Sequence, residues 1–208
     1  MATREMLVLM HNVGQLPPVW QPQVEALPTD LPMEAPWIAG LRPGGSGDFS
    51  PARAAQAISD LLTQRGIERA YLCAHSLSSI VAVQVAAQDE RIAGMILSLP
   101  KLAPTGKQAK RARFFLRFLP GNVDKDQMRQ VMDAFAEIDL PAALKQVTAP
   151  AVLVAAKGDR TSKQEVAEYE KHLQSAVVTD LAPNPANEGI PTALTGVMTE
   201  ILPMWRPA

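Results

Sequence analysis

The sequence predicts an α/β protein, a mostly parallel, doubly wound sheet with helices on both faces. Three observations predict it. Short apolar, β-rich runs alternate with longer helical patterns along the whole chain. The helical patterns open on recognisable start signals. With 208 residues and 47% hydrophobic content the chain can bury a full core, and one domain over 1–208 is the natural division.

Taken in order, strands are expected at Met6–Met10, Trp37–Leu41, Ala70–Ala74, Gly94–Leu99, Ala151–Ala156 and Ala176–Leu181. Helices are expected at Ser50–Arg65, Leu77–Gln88, Thr161–Leu173 and Pro191–Leu202. The first opens with Ser50-Pro51, a capping residue followed by proline at the first helical position, where the missing N–H does no harm. The third opens with Thr161-Ser162 and carries Glu165 just beyond. The 18 prolines fall mainly between elements.

Residues 103–149 break the alternation. A basic amphipathic stretch, Lys107 to Phe118, is followed by Pro120-Gly121-Asn122 and by a helical pattern from Asp124 to Ile138. This reads as a small helical cap inserted over the sheet edge. Its basic run is best read as a solvated helix face, because the rest of the chain balances it to a net charge of -1. Phe114, Phe115, Phe118, Met128, Met132 and Phe135 either wall a pocket or simply pack, since helical spacing fits both.

The same charge balance argues against nucleic acid or an anionic membrane as partner, leaving a small-molecule substrate or ligand and an open oligomeric state. The run Met6–Met10 is too brief for a signal core or a membrane span. The single cysteine, Cys73, sits in an expected strand and reads as a packed core thiol, so the expected compartment is the reducing cytoplasm. The carboxylates, histidines and cysteine show no metal-ligand spacing, and His11-Asn12-Val13-Gly14-Gln15-Leu16-Pro17-Pro18 is a poor phosphate cradle; no metal or cofactor is expected.

The most informative stretch is Tyr71-Leu72-Cys73-Ala74-His75-Ser76-Leu77-Ser78-Ser79-Ile80, where an apolar strand stops at a small-x-Ser-x-small turn and restarts as a helix. This is the pattern of a nucleophile elbow, in which small neighbours leave room for a serine on a strained strand-to-helix bend. With this elbow, several further motifs in matching order make the chain resemble the α/β-hydrolase family, in its esterase and cofactor-free haloperoxidase-like branch. His11-Asn12-Val13-Gly14 resembles the family's oxyanion loop, with Asn12 in a glycine's place. Leu41-Arg42-Pro43-Gly44-Gly45-Ser46-Gly47 resembles its Asp-x-x-Gly-x-Gly turn, with Leu41 where the aspartate stands. Val147 to Arg160 resembles the strand and turn that present the acidic triad member, which makes Asp159 the match.

The resemblance implies Ser76 and Asp159 as catalytic residues and the backbone N–H groups of Val13 and Leu77 as an oxyanion hole. It also implies a histidine shortly before Pro191, where the chain has Asn184, with Asn187 the next polar choice. An amide has no basic nitrogen to take a proton from serine. The chain's three histidines offer little in its place. His75 should point away from Ser76 along the strand, and His172 lies in a helical pattern far from it. His11 ends a strand expected to neighbour the Ser76 strand, so it is the remaining candidate for a base.

Three readings stay open. The chain is an atypical enzyme that acts on a small carbonyl or ester compound by oxyanion stabilisation, as a hydrolase, lyase or cyclase, with Asp159 as base if burial raises its proton affinity. Or it is a catalytically inactive pseudo-hydrolase that binds a ligand or partner. Or it is an ordinary serine esterase with a relocated base such as His11.

Overall fold

The computed structural model describes residues 3–42, 49–105, 107, 125–182 and 189–206. Six strands, β1 (Glu5–Met10), β2 (Met33–Glu34), β3 (Arg69–His75), β4 (Ile92–Ser98), β5 (Ala151–Ala156) and β6 (Ala176–Leu181), form one sheet in the order β2-β1-β3-β4-β5-β6. Every pairing is parallel. The central strand β3 lies between β1 and β4 with Met10 beside Ala74 and Ala74 beside Leu97, so the three chain ends emerge together at one edge.

The period of two along each strand sorts its side chains onto two faces. Met6, Val8 and Met10 of β1, Leu72 and Ala74 of β3, and Leu153 of β5 point into one core, under helices α2 (Pro51–Gln64) and α3 (Ser78–Gln88). Helices α4 (Lys125–Ala136), α5 (Leu140–Gln146) and α6 (Arg160–His172) add Phe135, Leu144 and Tyr169 to that core. Leu7, Leu9, Tyr71, Cys73 and Ile96 point into the other, under Trp20, which leads into helix α1 (Gln21–Ala26), and helix α7 (Leu194–Trp205). Burial on both faces is why the strand runs are apolar without alternation. Cys73 is fully buried, and that burial pushes its thiol far above the usual range, as a core thiol requires.

Local signals place the helices. The Ser50 hydroxyl caps α2 by accepting from the Arg53 N–H, and Asp139 caps α5 by accepting from the Ala142 N–H at 3.0 Å. Helix α3 is buried nearly all round, as its uninterrupted apolar composition demands. Helix α7 begins three residues later than Pro191, whose carbonyl accepts from the Leu194 N–H at 2.9 Å and closes a turn first.

One expected strand is absent. Trp37–Leu41 is not extended in the sheet; the second strand is the short Met33–Glu34, which pairs with Leu7 and Val8. Ala35-Pro36 ends it, since proline has no N–H for the ladder. The chain then folds over the end of β1, where the Ile38 N–H bonds to His11 Nε2 and the Leu41 N–H to the Ile38 carbonyl. Ile38 and Leu41 are buried by this crossing, so their apolar character signalled burial and not a strand. The Gly-rich turn at 43–48, the basic stretch at 108–124, and Asn184 and Asn187 lie outside the described residues. No described helix is long and apolar enough to cross a membrane.

At the opposite edge of the sheet the C-terminus is clamped. The Tyr71 hydroxyl donates to Glu5 at 2.8 Å and Arg69 donates to the Trp205 carbonyl at 2.8 Å, while the Trp205 ring stacks on Tyr71 at 6.3 Å. Gly94 of β4 makes room for that ring, because a Cβ there would stand 2.3 Å from it. Gly94→Ala should therefore destabilise the fold by about 1–3 kcal/mol through overpacking, read as a lower midpoint in urea at unchanged slope.

Candidate functional site

Ser76 stands between β3 and α3 with φ of 60°, in the left-handed region that a residue with a Cβ rarely occupies. Such a conformation stores about 1–3 kcal/mol and persists only where the surroundings overdetermine it. They do so here. The Ser76 N–H donates to the Ser98 carbonyl at 2.9 Å, and its own carbonyl accepts from the Ser79 N–H at 3.1 Å. Ser78, almost fully buried, accepts from the His75 N–H at 3.1 Å, and its Oγ lies 2.9 Å from both the Met10 and His75 carbonyl oxygens. The sequence pattern called only for a small residue at Ser78. The structure shows its hydroxyl stitching the bend to the end of β1.

The backbone donor expected at Leu77 is engaged. Its N–H donates to Asn12 Oδ1 at 3.2 Å. Asn12 is itself held, its N–H donating to Gln15 Oε1 at 3.1 Å while Gln15 Nε2 donates to the Gly189 carbonyl at 3.0 Å. Val13 and Gly14 form the middle of a turn closed by the Gln15 N–H on the Asn12 carbonyl at 3.1 Å; Gly14 at φ of 78° supplies the positive φ it needs.

Two of the three histidines are hydrogen-bonded within the scaffold, and the third lies far along α6. His11 is fully buried, its Nε2 accepts from the Ile38 N–H at 3.3 Å, and its Nδ1 lies 3.0 Å from the Asn12 carbonyl. One neutral tautomer, with the proton on Nδ1, satisfies both, and burial lowers its proton affinity further. Both His11 nitrogens thus face backbone partners. His75 places Nδ1 3.2 Å from Ser98 Oγ, and burial, aided by the nearby Lys101 charge, lowers its pKa to about 4. His172 sits in the last turn of α6, 3.8 Å from Glu168. Twelve residues separate it from the start of that helix, about 18 Å at the α-helical rise.

Asp159 caps α6, its Oδ1 accepting from the Thr161 N–H at 2.8 Å, and it is exposed. The burial that a base role was expected to draw on is therefore missing at this carboxylate. Its described role is to hold a helix terminus.

Ser76 and Leu77 open into a cleft of about 650 Å³, walled by Lys101, Leu102, Met132 and Glu165. Lys101 Nζ lies 2.7 Å from Glu165 Oε2, and the Lys101 carbonyl accepts from the Tyr169 hydroxyl at 2.7 Å. Leu99, two residues before Lys101, also has a positive φ of 48°, so the chain turns sharply off β4 to form this wall. Sequence reasoning missed the pair. Its one signal was a lysine just past the carboxyl end of a parallel strand, where such sheets place their ligands. Of the cap residues weighed as pocket walls, Met132 faces the cleft, whereas Phe135 is fully buried against Phe49 with ring centroids 5.0 Å apart.

No protein-family model and no curated protein matches this chain. Solved structures do. A hydrolase from Oleispira antarctica superposes with a TM-score of 0.76 at 12% identity, covering 98% of this chain and 91% of its own. An alpha/beta hydrolase enzyme from a Medee basin deep-sea metagenome library gives 0.76 at 14% identity, with 99% and 91% covered. The enol-lactonase from Burkholderia xenovorans gives 0.71 at 16%, with 99% and 92% covered. Identities this low speak for architecture alone, and on that evidence the chain has the α/β-hydrolase fold.

Proposed function

We propose that the Ser76 cleft binds a small carbonyl or ester-type compound without the acyl transfer that a serine triad performs. One observation carries this reading: a serine on a left-handed bend faces a cleft while His11 and His75 are hydrogen-bonded within the scaffold and His172 lies at the far end of α6. Removing the imidazole from a complete triad lowers turnover by about 10⁶-fold, or about 8 kcal/mol of transition-state stabilisation. An exposed, helix-capping Asp159 does not make up a deficit of that size. What remains suits binding: a hydroxyl that donates and accepts, an apolar wall from Leu102 and Met132, and a charged pair at Lys101 and Glu165. The second reading, an atypical enzyme acting through Ser76 and Asp159, draws on the retained strain at Ser76 and on the hydrolases among its structural neighbours.

Two measurements separate these readings. Hydrolysis of p-nitrophenyl acetate by the wild type should stay within about tenfold of the Ser76→Ala variant, since on this reading no imidazole is placed to take the serine proton. Acetophenone should bind saturably by ligand-observed NMR, and Met132→Trp, which fills the cleft without touching the bend, should abolish that binding. Turnover that depends on Ser76 by several orders of magnitude would install the enzyme reading instead.

The committed histidines also predict a pH dependence. His75 has a folded pKa of about 4 against 6.5 in the unfolded chain, so at intermediate pH the unfolded chain takes up a proton that the fold refuses. Stability should be whole above pH 6.5 and fall as the pH drops towards 4, by about 3 kcal/mol from this group, with His11 acting in the same direction. Urea unfolding of wild type and His75→Gln at pH 7.5 and 4.5 checks it, the variant losing less between the two.

A further inference from the structure

We infer that Asn12 is an internal occupant of the carbonyl subsite, and that any carbonyl ligand must displace its carboxamide to reach the Leu77 N–H. The inference rests on the reading of the Ser76 cleft as a carbonyl-binding site and adds the residue that sets its threshold. Leu77 follows Ser76 directly and lines the same cleft, so its N–H is the backbone donor next to the hydroxyl. The atom found on it, Asn12 Oδ1 at 3.2 Å, is a carboxamide oxygen, chemically the group that an amide, ketone or ester would bring.

The occupancy is built in. The Asn12 backbone is fixed by the Gln15 carboxamide, which is itself anchored on the Gly189 carbonyl across 174 residues of chain. Gly189 permits that anchor, because a Cβ there would stand 2.5 Å from Val19 Cγ2 and 3.0 Å from Gln15 Nε2. Three segments distant in sequence thus converge to hold one oxygen against one N–H. A ligand gains only the difference between its own hydrogen bond and that of Asn12. Weaker acceptors such as ester oxygens therefore bind less tightly than ketone or amide oxygens.

Two substitutions test this in opposite directions. Asn12→Ala removes the competing oxygen and should tighten acetophenone binding by about tenfold, the upper end of the net worth of one hydrogen bond. Asn12→Asp keeps an acceptor in place and makes it an anion, which bonds an N–H more strongly, so it should weaken acetophenone binding below the wild type. Amide hydrogen exchange of Leu77 reads the occupancy without any ligand: it should speed up in Asn12→Ala and slow in Asn12→Asp, with circular dichroism confirming the fold of each. Unchanged Leu77 exchange in Asn12→Ala would overturn the inference and leave the binding reading standing. Faster exchange with unaltered acetophenone affinity would also overturn it. Faster exchange with no acetophenone bound by either protein would overturn the binding reading, and this inference with it.

Discussion

The left-handed bend at Ser76 is the constraint on which the rest of the site depends. A non-glycine residue adopts a φ of 60° only under compulsion, and the compulsion comes from both neighbouring strands. Strand β4 contributes the Ser98 carbonyl to the Ser76 N–H, and strand β1 contributes the Met10 carbonyl to the Ser78 hydroxyl. The bend is therefore a property of three parallel strands ending together, and it directs Ser76 and the Leu77 N–H outward from the sheet edge. Ser76 and Leu77 take their places in the cleft from it.

Architecture and site chemistry rest on different physical forces. Apolar burial on both faces of a parallel sheet keeps the α/β-hydrolase architecture at identities of 12–16% to solved hydrolases. No such collective force protects a proton relay, which needs particular nitrogens at particular distances. Two of the histidines bond within the scaffold: His11 receives the Ile38 N–H as the chain crosses the end of β1, and His75 ties β3 to Ser98 of β4. Neutral buried imidazoles serve well as such ties because one nitrogen donates and the other accepts.

Where the sequence was legible, the signal was either periodic or capped. Five of six strands and the helices expected at Ser50–Arg65 and Thr161–Leu173 stand close to their expected bounds, because apolar runs and capping side chains act within a few residues, although the cap of the latter is Asp159 and not Thr161-Ser162. Trp37–Leu41 misled because burial over a strand end and burial within a sheet select the same side chains. The exposure of Asp159 was not legible, since it depends on what covers the turn. The Lys101–Glu165 pair spans 64 residues and the Asn12–Leu77 bond spans 65, separations at which no local pattern carries information.

By itself, then, the sequence determined the layered α/β architecture, the serine on its small-residue turn, and the lack of a histidine before Pro191. These follow from composition and short-range order. Only the tertiary structure decided what each polar group is bonded to. It turned Ser78 from a spacer into a stitch, placed the Asn12 carboxamide on the Leu77 N–H, and left Asp159 capping a helix in solvent. The physical reason is that hydrogen bonds are directional and short, so their partners are chosen by how distant segments pack and not by neighbours in the chain.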